Sequence, residues 1–179
     1  MDIYQIKVTL RHSHPPIWRR IEVPADTKLG KLHRVLQAVM GWTDSHLHAF
    51  RVDGEAYGVP DPEFPDDMEN ERNVRLDRAA GEGRTIIYEY DFGDGWEHEL
   101  RVEKIAPAEP SIRYPRCLAG KRACPPEDCG GIPGYEHLQE VLSNPKNKEY
   151  KELRDWLGYD LEPEAFDLDE INRALKGIR

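Results

Sequence analysis

From Ile86 to Val102 the chain reads as two alternating apolar–polar runs separated by Gly93-Asp94-Gly95, the pattern of a β-hairpin with one buried face. A three-residue loop with Gly95 in a left-handed bulge sets Phe92 opposite Trp96, Tyr90 opposite His98, Tyr88 opposite Leu100 and Ile86 opposite Val102. Those residues then share one face. A two-residue loop, Asp94-Gly95, would set Phe92 against Glu97 and mix the faces, so the three-residue loop is expected.

The same rule places a strand at Tyr4–Leu10, where Tyr4, Ile6, Val8 and Leu10 alternate with polar residues, and a second at Ile17–Val23. Pro24-Ala25-Asp26-Thr27 ends the second strand and offers Asp26 or Thr27 as a helix cap. Leu29, Leu32, Leu36 and Val39 form a helical stripe that stops at Gly41, and His46–Val52 resumes as a strand. Strand, strand, helix, strand predicts an α+β fold with a β-grasp-like mixed sheet and one helix packed across it. Residues 53–83 read as a surface excursion with a short strand at Val74–Leu76. Beyond the hairpin, helical stripes at Tyr135–Leu142 and Tyr150–Trp156 and a capping pair, Asp167 with Glu170, predict a helical C-terminal part.

The 179 residues are accommodated by a single domain: a sheet-rich part (1–110), a cysteine loop (111–134) and a helical part (135–179). The net charge of −9 makes nucleic acid a poor partner, since phosphate binding needs concentrated cations. The sequence shows neither an apolar run of membrane-spanning length nor a secretory signal, so a cytoplasmic location with reduced thiols is expected. No Ser lies in a nucleophile elbow, and Asp91-Phe92-Gly93 lacks the other parts of a kinase.

All three cysteines, Cys117, Cys124 and Cys129, fall in a stretch dense in Pro and Gly. A loop of that length with no periodic pattern wants an organising centre, and zinc held by thiolates supplies one. Three thiols need a fourth ligand. His98, on the apolar face of the hairpin, is the first choice, His137 the second, and His46 with His48 the third. The bland alternative is three small buried residues in an ordinary loop, with His98 bonded to a carbonyl or a Tyr hydroxyl. On the hairpin's other face the register pairs Asp91 with Glu97 and Glu89 with Glu99, which invites a cation or an Arg from elsewhere in the fold; a solvated face is the plainer reading. His12 and His14 lie in a turn and read as surface residues. Trp18 with Arg20 reads as cation–π packing on a sheet surface, more simply than as a base-stacking patch with Arg11, Arg19, Arg34 and Trp42.

Three stretches together carry a resemblance: Pro16-Ile17-Trp18-Arg19-Arg20 followed by Leu29-Gly30-Lys31-Leu32-His33; Tyr90 through His98; and Cys117 with Cys124-Pro125-Pro126-Glu127-Asp128-Cys129-Gly130-Gly131 and Gly134-Tyr135. Over about residues 3–157 the chain resembles the plasmid pRi ORF-three-like family. The resemblance implies a compact α+β fold carried on bacterial plasmids and chromosomes, some relatives being labelled transposon passengers or resolvases, with no established activity. A resolvase reading lacks a placed nucleophilic Ser and a basic tail. The expected function is a non-enzymatic binding or interaction domain, with a protein as one class of partner and a link to mobile elements, its cysteine loop organised by zinc on Cys117, Cys124, Cys129 and His98. The alternative is a metal-dependent hydrolase of a phosphoester or nucleic acid, using Asp91, Asp94, Glu97 or Glu127 and Asp128 around an open metal position.

Overall fold

Alternation drives the central strands together. In β1 (Asp2–Leu10), Tyr4, Ile6, Val8 and Leu10 are buried, and Ile6 faces Ile21 of β2 (Ile17–Pro24). The computed structural model describes residues 1–60 and 68–178. After β2 come α1 (Leu29–Met40), β3 (His48–Val52), β4 (Glu55–Gly58), β5 (Glu69–Asn70), a 3-10 turn (Glu71–Asn73) and α2 (Leu76–Ala79). The hairpin strands β6 (Thr85–Tyr90) and β7 (Trp96–Pro107) lead to β8 (Arg116–Lys121), α3 (Gly131–Leu142), α4 (Tyr150–Leu157) and α5 (Leu168–Leu175). The strands form one mixed sheet in the order β5-β4-β3-β6-β7-β1-β2-β8, with β4–β5 its parallel pair. The expected α+β architecture is observed.

The α1 stripe Leu29, Leu32, Val35, Leu36 and Val39 is buried in one core with the inner faces of β1, β2, β3, β6 and β7. Burying each such side chain is worth roughly 1.5–3 kcal/mol. Gly41 closes the helix in the left-handed conformation, its N–H bonded to the Gln37 carbonyl, as the pattern predicts. The N-terminus differs from expectation. Lys28 is the cap residue and makes no side-chain bond; the Leu29 amide donates to Val74 O, and the Glu71 carboxylate lies against Gly30. A distant segment thus does what Asp26 or Thr27 was expected to do.

That segment belongs to the supposed surface excursion. Asp53 and Gly54, both at positive φ, turn the chain from β3 into β4, and Lys28 bridges Arg75. Val74–Leu76 therefore forms a bridge and a helix start instead of a strand of its own. The cysteine loop is shorter than the sequence suggests. Its first part is β8, paired with β2, and α3 begins at Gly131, four residues before the expected start. The later helices match: Gly158 caps α4 at positive φ, and the Asp167 side chain accepts from the Glu170 amide at the start of α5. α5 packs on β8 and α1.

Apart from Phe92, expected on the buried face but exposed in the turn, the hairpin keeps its expected faces but not its expected partners. Tyr90 pairs with Trp96, Tyr88 with His98 and Ile86 with Leu100, leaving five residues in the turn. Asp91 is left-handed (φ 58°), its Oδ1 accepts from the Gly93 and Asp94 amides at 3.0 and 3.4 Å, and its carbonyl accepts from Gly95 N–H. This self-contained turn ends the ladder two residues early. Because the pleat has period two, the inward face survives. The outer face now has one directly opposed acid pair, Glu89 with Glu97, neutralised by Arg51 of β3 and by Arg11, just past the end of β1.

Trp18 lies under Arg20 and Lys7 (5.4 Å each) on the outer sheet surface, as the simpler reading had it. Arg19 points the other way, buried, and donates to the Val39, Trp18 and Lys121 carbonyls. His12 and His14 are exposed. Among the described residues no helix is long and apolar enough to cross a membrane.

Candidate functional site

Three segments meet at one end of the sheet: the loop 42–47 after α1, the hairpin turn 91–95, and the stretch 124–131 that leads into α3. Glu127 is the knot. Its Oε1 accepts from Tyr90 OH at 2.5 Å and its Oε2 from Thr43 Oγ1 at 2.6 Å, while the Ser45 amide donates to the Tyr90 oxygen at 2.9 Å. Burial and the Glu127 carboxylate both push the Tyr90 phenol up, so it stays a donor. Asp94 accepts from the Gly130 amide at 3.1 Å, Asp91 N–H donates to Leu47 O, and Trp42 Nε1 donates to Pro125 O. The two longest motifs of the sequence, Tyr90–His98 and Cys124–Gly131, are therefore one structural unit.

Among the described residues, two groups of His, Cys, Asp and Glu bring three ligand atoms within 4.8 Å of one another: His33 with Asp44 and His48, and His46 with Asp91 and Asp128. Neither contains a cysteine, so Cys117, Cys124, Cys129 and His98 are not drawn into one ligand set. Cys117 is carried into the core by the pairing of β8 with Ile21, and its thiol faces Ala119 O at 3.5 Å. Cys124 and Cys129 are half-buried against the same core. Burial pushes all three thiols up, Cys129 to about 12 with Asp94 adding to the effect, so each is protonated and a weak nucleophile as folded. His137, the second choice, bonds Glu149 on the surface, and His46 and His48 fall into different groups. Of the acids named for hydrolysis, Asp91 and Asp128 come together, whereas Asp94, Glu97 and Glu127 are held by other partners.

Four buried side-chain atoms among the described residues lack a hydrogen-bond partner: His46 Nε2, Trp96 Nε1, His98 Nε2 and Tyr135 OH. Such atoms are rare in folded proteins and each asks for a cause. His98 is fully buried, its Nδ1 3.3 Å from Tyr88 O and its ring edge-on to Trp42. Burial is the main reason its pKa falls to about 4. Below about 6.5 the unfolded chain takes up a proton here that the folded chain refuses until about 4. Metal-free protein should therefore lose stability as pH falls through that window and be unaffected by this group above it. Urea unfolding midpoints at about pH 7 and about pH 5 measure the loss, and His98→Phe should flatten the dependence; a slope unchanged by that substitution contradicts the assignment.

The other group forms the floor of a cleft of about 1370 Å³ over the N-terminal half of α1. The His33 and His48 rings stack face to face, centroids 3.5 Å apart and 4° from parallel. His33 Nδ1 meets Tyr88 OH at 2.8 Å and Nε2 meets Asp44 at 2.7 Å, while His48 Nε2 meets Glu71 at 2.8 Å. Burial, then the neighbouring His48, lower the His33 pKa against the pull of Asp44. Parallel stacked imidazoles send their lone pairs in parallel directions, and three of the four ring nitrogens already have partners. This group is a hydrogen-bonded floor, poorly shaped to hold an ion. In the sequence His33 is visible as a polar residue inside an apolar stripe; Asp44 and Glu71 carry no local signal.

The comparisons agree with this frame. A family model described as plasmid pRiA4b ORF-3-like protein matches residues 2–170. The chain is 39% identical over 180 residues to the uncharacterized protein y4hQ of Sinorhizobium fredii (strain NBRC 101917 / NGR234), covering 99% of this chain and 92% of that one. It is also similar to MM3350 from Methanosarcina mazei Go1, a protein of unknown function with a crystal structure, at a TM-score of 0.86 and 39% identity over 94% of this chain and 96% of that one. Sequence motifs, fold and relatives converge, and the chain belongs to the plasmid pRiA4b ORF-3-like family.

Proposed function

We propose that this protein is a non-enzymatic binding domain whose recognition site is the cleft floored by His33 and His48, and that it takes an anionic small molecule with an apolar body. One observation carries the reading. Of the six large apolar side chains left exposed among the described residues, three (Leu47, Val59 and Phe92) line this single cleft, beside Lys28, Lys31 and Arg72. Apolar groups left in water around a concave site with convergent polar groups are what a ligand covers. The acids Asp44 and Glu71 at the floor are already matched by imidazoles, which leaves the single acid Asp26 against the cations Lys28, Lys31 and Arg72 at the rim. Anilinonaphthalene sulfonate, an anion with an aromatic body, is the probe. Its fluorescence should rise on binding with one site per chain, and Lys31→Glu with Phe92→Ala should remove most of the rise without changing the melting temperature. An unchanged signal in that double variant sinks the reading.

A second reading keeps zinc at the cysteine loop. It is favoured by His98 Nε2, a fully buried imidazole nitrogen with no partner, whose ring packs on Trp42, itself bonded to Pro125 of the segment that holds two thiols. Binding would require Cys124 and Cys129 to swing toward it, and the ion would deprotonate thiols that are otherwise neutral. Metal analysis of the purified protein tests it: one zinc per chain, lost in Cys124→Ser together with stability, is the expected outcome, and a metal-free protein that melts normally excludes it.

A further inference from the structure

We propose that His46, Asp91 and Asp128 form a binding site for a divalent first-row metal ion of the manganese or zinc class, beside the cleft. The proposal goes beyond the cleft reading and is tested separately from it. The three residues come from the three segments that converge here: His46 from the loop after α1, Asp91 from the hairpin turn, Asp128 from the stretch before α3. His46 Nε2 lies 3.0 Å from Asp128 Oδ1 and 3.7 Å from Asp91 Oδ2. It makes no hydrogen bond to either: Asp91 is too far, the geometry toward Asp128 is not that of a hydrogen bond, and the atom is shut off from the surface. A histidine paired with a carboxylate would turn its N–H onto the oxygen; one that shares a metal with it would not.

The spacing fits an ion. Two ligands at about 2.1 Å from a common centre subtend about 90° when 3.0 Å apart and about 125° when 3.7 Å apart. Both angles occur in ordinary tetrahedral to five-coordinate sites. The ligands are also pre-set. Asp91 Oδ1 is engaged by the Gly93 and Asp94 amides, which leaves Oδ2 as the oxygen facing His46. The His46 ring packs edge-on to Tyr90, 5.8 Å between centroids, and Tyr90 is itself fixed by Glu127 and Ser45. Such outer contacts orient metal ligands. One imidazole and two carboxylates suit ions that accept mixed nitrogen and oxygen donors, and two adjacent carboxylates in a chain of net charge −9 favour a cation electrostatically. Another part of His46 lines the cleft, so the site lies beside it.

The experiment is a titration of chelator-treated full-length protein with Mn²⁺, followed by the paramagnetic resonance of the free ion, with Zn²⁺ as competitor. Wild type should bind one Mn²⁺ per chain, displaced by Zn²⁺. His46→Ala and Asp128→Asn should each weaken binding by at least about tenfold with melting temperature in the absence of metal unchanged; Asp128 is an exposed side chain, so its variant folds. Wild type that binds neither ion at millimolar concentration overturns the proposal, as does unchanged affinity in both variants. Binding that survives His46→Ala but is lost in Cys124→Ser moves the ion to the thiols and overturns it equally. Because the readout is the ion itself, a failed dye-binding result at the cleft leaves this outcome unaffected.

Discussion

Glu71→Ala should destabilise the protein by roughly 3–5 kcal/mol, the range seen when one member of a buried pair is removed. Glu71 is 3% exposed although it lies within residues 53–83, which read as a surface excursion in the sequence. One carboxylate oxygen meets His48 Nε2 at 2.8 Å; the other would stand 2.9 Å from a Cβ placed on Gly30, in the first turn of α1. Alanine would leave a buried imidazole nitrogen unpartnered and remove the anion from a helix N-terminus that has no side-chain cap of its own. The loss should spread to His33, stacked on His48. Glu71→Gln keeps a partner of the same shape and should cost much less. Urea unfolding measures both, and an alanine variant as stable as the glutamine one would show that the pair does not bear on folding.

Gly131→Ala should cost roughly 2–4 kcal/mol and separate the hairpin turn from the cysteine stretch. Gly131 opens α3 at φ +68°, a conformation that disfavours any side chain, and an added Cβ would stand 2.4 Å from the Asp94 carbonyl oxygen. The obstacle is backbone, so no rotamer change relieves it. Gly134→Ala should behave alike, since its Cβ would run into the Cys129 carbonyl at 1.8 Å. Gly81→Ala is the control: nothing lies within 4 Å of its Cβ. Beyond lost stability, amide hydrogen exchange should rise at Gly130, whose N–H bonds Asp94, and at Asp91. Exchange unchanged at both positions in a folded Gly131→Ala variant would mean that the two motifs are not coupled through this contact.

How much was legible differs by residue. Leu29, Leu32, Leu36 and Val39 announce their helix and its buried side because spacing on a helix is a local property. Gly41, Gly158 and Asp167 mark helix ends for the same reason. Asp53-Gly54 carries a local tight-turn signal, but reading residues 53–83 as a surface excursion misses the hairpin of β3 with β4 that it makes. The N-terminus of α1 was not legible, since its capping groups come from residues 71–74. Cys117 was misplaced because Pro and Gly on either side hide a short edge strand whose existence depends on β2 offering it a partner.

The candidate site divides the same way. Composition and motif spacing marked Asp91, Asp128 and the cysteines as chemically notable. They could not say that Asp91 would meet His46 instead of Glu97. Which side of each strand and helix faces inward was determined by the order of residues alone, because a repeat of two or 3.6 acts over a few neighbours. Which loops share a corner was decided only by the folded chain: that choice depends on β3 lying beside β6 and on the path from β8 into α3, and no short-range preference encodes either.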